Sequence, residues 1–149
     1  MDTSSMHLWL VLWKAYESVR AHADRHVRTA GLGFSDFAVL ELLLHKGPTP
    51  VNAIGERVYL TSGSITVAVD RLERKGLVCR CGDPRDRRTR VVHLTDTGRK
   101  LIERTFAAHR RAIETATAGL SAQERAQAII LLKKLGLHAQ AALADPGEP

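Results

Sequence analysis

The side chains best equipped for chemistry lie in one stretch, residues 60–90, LTSGSITVAVDRLERKGLVCRCGDPRDRRTR. They are hydroxyls and arginines, groups that bind phosphates and base edges rather than cleave bonds. Ile65, Ala68, Val69 and Leu72 recur at i, i+3, i+4 and i+7, the buried stripe of a helix. At about 100° per residue, the opposite face carries Gly63, Val67, Asp70 and Arg74, flanked by Ser64, Thr66 and Arg71. Thr61 can cap the start of this helix through its hydroxyl, and Gly76 stands where a left-handed C-terminal residue is wanted. A strand, Leu77, Val78 and Cys79, then runs into a Gly82-Asp83-Pro84 turn. Arg85, Asp86, Arg87, Arg88 and Arg90 crowd the tip before Val91, Val92, His93 and Leu94 resume a strand.

Charge is concentrated in the same place. Residues 71–90 hold eight Arg or Lys against three Asp or Glu, whereas the rest of the chain holds fourteen against thirteen. Nearly all of the formal net charge of +6 therefore sits in twenty residues. A charge run alone is usually a solvated face. Joined to a capped helix with a small polar face and an arginine-tipped hairpin, it points to nucleic acid.

The elements that must position this reader follow from periodicity. Residues 7–30 read as a long helix with Leu8, Val11, Leu12, Ala15 and Val19 in a stripe, beside Trp9, Trp13 and Tyr16. Gly31 and Gly33 end it. Two tryptophans so near a terminus are expected to pack on the C-terminal helices or on a second subunit. Ser35 is expected to cap a second helix whose core side is Phe37, Leu40, Leu43 and Leu44, stopped by Lys46-Gly47-Pro48. Thr49-Pro50 is expected to open a short third helix, with Pro at the first helical position and Val51, Ile54 and Val58 buried. The Tyr59-Leu60 link is turn-length only, so a helix-turn-helix results, with residues 61–75 as recognition helix and the hairpin as wing. Thr95 caps a long helix over about residues 96–118 with Leu101, Ile102, Phe106 and Ile113 apolar. Ser121 and Glu124 make a capping box for the last helix. Its apolar residues, Ala126, Ile129, Ile130, Leu132, Leu135 and Leu137, cover more of its circumference than one small core needs. A homodimer joined through both terminal helical regions is the reading this favours.

The expected fold is mainly α with a small β-hairpin wing. At 149 residues the chain reads as a single domain, 1–149, with a DNA-binding lobe at about 35–94 and dimerisation helices at about 7–30 and 96–142. No apolar run has the length of a membrane span, and no signal-peptide pattern opens the chain, so a cytoplasmic location is expected. Two cysteines make no disulfide framework.

LTSGSITVAVDRLERKGLV followed by DPRDRRTRVVHLTDTGRKL resembles the signature of the MarR family of winged-helix transcriptional regulators, and the order of elements extends the resemblance over residues 7–142. The resemblance implies a homodimeric repressor that ligands or oxidants release from palindromic promoter DNA. By position it implies that Ser62, Ser64, Thr66 and Arg71 face the major groove or its phosphates. Asp86 would orient the wing arginines, with Arg88 entering the minor groove and Arg85 and Arg87 beside it. The expected DNA-contact set is thus Thr61, Ser62, Gly63, Ser64, Thr66, Val67, Arg71, Arg74, Arg85, Asp86, Arg87, Arg88 and Arg90. An arginine in a narrow minor groove senses width rather than sequence. The stretch DFAVLELLLHKGPTPV is similar to the branch that represses quinone and catechol detoxification genes, which implies a small aromatic effector. Trp13, Phe37, His45 and Phe106 are candidate lining residues, each with a core role as the plainer alternative.

Other chemistries have weaker support. Cys79 and Cys81 alternate onto one face of a strand. A thiol-based redox sensor is the alternative reading they allow, if neighbouring arginines lower a thiol pKa. His22 and His26 stand at i, i+4 without further ligands at convincing spacing, so no metal and no cofactor is expected. Gly-x-Ser-x-Gly, His-Glu-x-x-His and phosphate-loop motifs are absent, so no enzyme is expected. A basic helical module gripping an acidic protein is the remaining alternative, and discrimination between operator and random DNA separates the two.

Overall fold

Apolar residues at helical spacing decide where this chain closes on itself. The computed structural model describes residues 2–58, 62–82 and 89–144. The elements are α1 (Ser5–Thr29), α2 (Phe34–Lys46), β1 (Thr49–Pro50), α3 (Val51–Val58), α4 (Ser62–Arg74), β2 (Val78–Gly82), β3 (Arg90–Leu94), α5 (Asp96–Ala116) and α6 (Ala122–Ala144). The chain forms two compact units, Met1–Ile113 and Glu114–Pro149.

In the first unit α2, α3 and α4 pack on one another. The expected stripe of α4, Ile65, Ala68, Val69 and Leu72, is buried in full, together with Phe37, Leu40, Leu43, Ile54, Val92 and Ile102. Each of the larger side chains contributes roughly 1.5–3 kcal/mol by leaving water, which anchors α4 firmly in the lobe. Gly76, at φ +67°, ends α4. Its N–H donates to the Glu73 carbonyl and that of Leu77 to the Leu72 carbonyl, the paired closure that only a left-handed residue permits cheaply.

The wing is part of a three-stranded antiparallel sheet in the order β1-β3-β2. Val92 pairs with Thr49 on one side and Arg80 on the other. Pro50 is therefore a strand residue, and α3 begins after it; this corrects the expectation of Pro at the first helical turn. Two residues are too short a run to show period-two patterning. Ser35 is corrected as well. The N-cap of α2 is Gly33, and Ser35 lies inside the helix.

Thr95 does cap α5, its Oγ1 accepting from the Gly98 N–H at 3.0 Å and donating to the Gly76 carbonyl at 2.7 Å. A side chain at Gly98 would place its Cβ 1.9 Å from the Leu77 carbonyl oxygen. The Leu-Thr-x-x-Gly run thus owes its residues to the close approach of α5 to the end of the α4 turn.

α1 buries only Ala23 and Val27, near its C-terminus. Of its predicted stripe Leu12 and Val19 are half-buried, while Leu8, Val11 and Ala15 are exposed, as are Trp9, Trp13 and Tyr16. In the second unit the capping box at Ser121 is present in both directions. α6 buries none of its residues and exposes Ile129, Ile130, Leu131, Leu132, Leu135 and Leu137. No helix of the described residues is long and apolar enough to cross a membrane.

Candidate nucleic-acid interface

The outward face of α4 carries Gly63, Ser64, Thr66, Val67, Asp70 and Arg74, all exposed. Val67 keeps 56% of its surface. A Cβ at Gly63 would meet nothing within 4 Å, so the fold does not require glycine there. Its effect is to leave bare backbone near the start of the helix, where N–H groups can approach a phosphate or base. Ser62 opens the helix. Small side chains, hydroxyls and one aliphatic contact suit a groove that presents donors, acceptors and thymine methyls.

Two ion-paired arginines hold this face in place. Arg71 turns inward: its Nε donates to both carboxylate oxygens of Asp36 at 2.9 and 3.0 Å, and its Nη2 reaches the Ser35 hydroxyl at 3.2 Å. Asp36 is only 1% exposed and also accepts from the Gly33 N–H, so it orients Arg71 and closes the start of α2 at once. The Asp36 hydrogen bond, with its charge, raises the Arg71 pKa. Arg71, expected among the groove-facing residues, is thereby engaged inside the chain.

Arg80, on β2, forks across two turns of α4. It donates to Asp70 through Nη2 and to Glu73 through Nη1 at 2.6 Å, while its backbone N–H donates to Glu73 at 3.0 Å. Burial opposes its charge, and the hydrogen bonds to Asp70 and Glu73 outweigh that and raise its pKa. β2 is consequently fixed to the recognition helix. Lys75 adds a third link, donating to the Gly31 carbonyl at 3.0 Å. The basic cluster of the sequence is thus not uniformly a binding surface, since Arg71 and Arg80 serve the scaffold. Arg74 and Arg90 are exposed, with Arg90 opposite Gly82 at the outer end of the hairpin. Thr61, Arg85, Asp86, Arg87 and Arg88 lie outside the described residues.

The candidate effector residues separate. His45 and Phe106 meet edge to face with centroids 4.7 Å apart. Phe37 is buried against His109, centroids again 4.7 Å apart. Trp13 stands exposed on α1. His109 escaped the sequence reading, although it continues the Ile102, Thr105, Phe106 stripe of α5 at helical spacing. Its Nδ1 is buried with no hydrogen-bond partner, and burial, with the charge of His26, pushes its pKa down against the opposing influence of Glu41.

Cys79 is half-buried and Cys81 exposed. Burial foremost, then the hydrogen bond with Cys81 and the charges of Cys81 and Glu73, pushes the Cys79 thiol up. Arg80, the neighbouring arginine among the described residues, is itself paired with Asp70 and Glu73. His22 is exposed and His26 half-buried, and among the described residues no group of three or more His, Cys, Asp or Glu is placed to hold a metal ion.

A family model described as "MarR family" matches residues 35–89. The chain is 41% identical over 136 residues to the uncharacterized HTH-type transcriptional regulator YkoM of Bacillus subtilis (strain 168), covering 91% of this chain and 88% of that protein. It is 40% identical over 140 residues to the HTH-type transcriptional regulator MhqR of the same organism, covering 94% and 97%. The crystal structure of the PcaV transcriptional regulator from Streptomyces coelicolor, in complex with its natural ligand, matches with a TM-score of 0.73 at 28% identity, over 93% of this chain and 97% of that one.

Proposed function

This chain belongs to the MarR family of DNA-binding, winged helix-turn-helix transcriptional regulators, and on that premise we propose that it is a homodimeric repressor released from a palindromic operator by a small aromatic effector. The observation that carries the reading is the exposed outer face of α4, tied to β2 by Arg80. In this reading Thr61, Ser62, Gly63, Ser64, Thr66 and Val67 meet the major groove and Arg74 a phosphate. Arg85, Arg87, Arg88 and Arg90 serve the minor groove and its edges, with Asp86 orienting them. Arg71 acts from beneath, keeping α4 seated on α2.

Dimerisation is supported by exposed apolar side chains in both units, Leu8, Trp9, Val11 and Trp13 on α1 and Ile129, Ile130, Leu131, Leu132, Leu135 and Leu137 on α6. Patches of this kind mark association surfaces, and two-fold related readers suit a palindrome. The effector reading rests on the bound ligand of the PcaV relative and on the similarity of the α2 stretch to the quinone- and catechol-responsive branch. The His45–Phe106 pair is the aromatic contact that such a ligand could share, with Trp13 and Phe37 as the other candidates.

The test is titration of the protein–DNA complex with catechols, quinones and salicylate-like acids, reading DNA release and tryptophan emission together. Release by one class, with a change in emission, is the expected result. No release across all three would remove the aromatic effector from the account.

A further inference from the structure

We propose that Cys79 and Cys81 form a two-thiol site that captures a trivalent arsenical at the base of the wing, a second chemical input that the DNA reading does not require. The two residues flank Arg80 on β2 and point to the same face, Cys79 across from His93 and Cys81 across from Val91. Cys81 is exposed and Cys79 half-buried, so a small molecule can reach both. Their side chains are close enough to hydrogen-bond to each other.

The strand sets what the pair can bind. Alternate residues of a strand have Cα atoms roughly 6.6 Å apart, near the outer limit for a disulfide. A bridging atom with two long bonds to sulfur spans that gap without drawing the backbone together. Zinc is poorly served, because it asks for four ligands and no third metal-binding group joins the cysteines among the described residues. A monosubstituted arsenous acid, with two exchangeable oxygens, matches two thiols.

The chemistry balances without an oxidant. R–As(OH)2 and two Cys–SH give R–As(S–Cys)2 and two water molecules: two As–O bonds break, two As–S bonds form, and each thiol proton leaves with a hydroxide. Arsenic stays trivalent. Because each leaving hydroxide takes up the thiol proton, a raised Cys79 pKa does not bar the step, whereas it slows attack on peroxide or a quinone, which needs the thiolate.

The experiment titrates the whole protein with phenylarsine oxide in the absence of DNA, counting thiols and weighing the adduct. One arsenical per chain, loss of both thiols, and recovery of both by 2,3-dimercaptopropanol are expected. Cys79→Ser and Cys81→Ser should each bind about 100-fold more weakly, since the second As–S bond profits from effective concentration. Cys81→Ser changes an exposed position and carries the comparison if Cys79→Ser fails to fold. Thiols left unreacted, or a serine variant that binds as tightly as the parent, would overturn the site. Neither result depends on whether α4 reads DNA.

Discussion

Arg71 and Asp36, 35 residues apart in sequence, meet in a forked ion pair that fastens the recognition helix to the helix before it. The carboxylate is buried and the guanidinium only partly so, at 1% and 36% side-chain exposure. The pair therefore has an asymmetric sensitivity. Removing the arginine strands a buried charge, which costs more than an exposed ion pair gives.

Arg71→Ala should accordingly lower stability by about 2 kcal/mol, read as a reduced midpoint in urea with an unchanged slope. Val67→Ala should leave that midpoint in place and lower DNA affinity instead, because Val67 is exposed and contributes no core packing. An Arg71→Ala protein as stable as the parent would contradict the scaffold role.

Gly98→Ala tests the close approach of α5 to Leu77. The added methyl meets backbone, which cannot swing aside as a side chain can, so a loss of about 3 kcal/mol is expected. Thermal unfolding measures it. A substitution that costs only the few tenths typical of an exposed helix would mean that the two elements have room to part.

His109 gives a pH dependence with a definite sign. Its folded pKa lies below the ordinary 6.5, so below that pH the unfolded chain binds more protons than the native one. Stability should be fully present above about pH 6.5 and fall as pH drops toward the folded pKa. His109→Phe keeps a ring against Phe37 and removes the titration. Melting temperatures measured from about pH 7.5 to about pH 5 should show a shallower decline for the variant. Parallel curves would show that His109 does not titrate differently in the two states.

Arg88→Ala should weaken operator binding, reduce the salt slope by about one, and leave the melting temperature nearly unchanged. Competition binding at two salt concentrations reads both. Unchanged affinity would take the wing tip out of the mechanism.

Much of this architecture is legible in the sequence because helical spacing reports burial directly. Ile65, Ala68, Val69 and Leu72 are found where their spacing places them, and Thr95, Ser121 and Gly76 cap where their chemistry predicts. What spacing cannot report is pairing across the chain. Ser35 looks like a cap because serine commonly is one, yet the local competition was won by Asp36, whose carboxylate serves Gly33 and Arg71 together. Pro50 looks like a first helical residue, and only its register with Val91 makes it a strand. Charge counted along the chain is blind to such pairing as well, because Asp36, Asp70 and Glu73 become neighbours of Arg71 and Arg80 only on folding. His109 was visible as a polar residue on an apolar stripe, but its orphaned nitrogen is a property of packing.

If two copies of the α4 face read a two-fold symmetric duplex, sequence selection will show it: bound duplexes are selected from a random library, and affinity for the selected site is compared with that for a scrambled duplex at one salt concentration. An inverted repeat bound about 10³-fold or more tightly than the scrambled sequence, at two chains per duplex, is the predicted result. Equal affinity for both duplexes, or one chain per duplex, would contradict it.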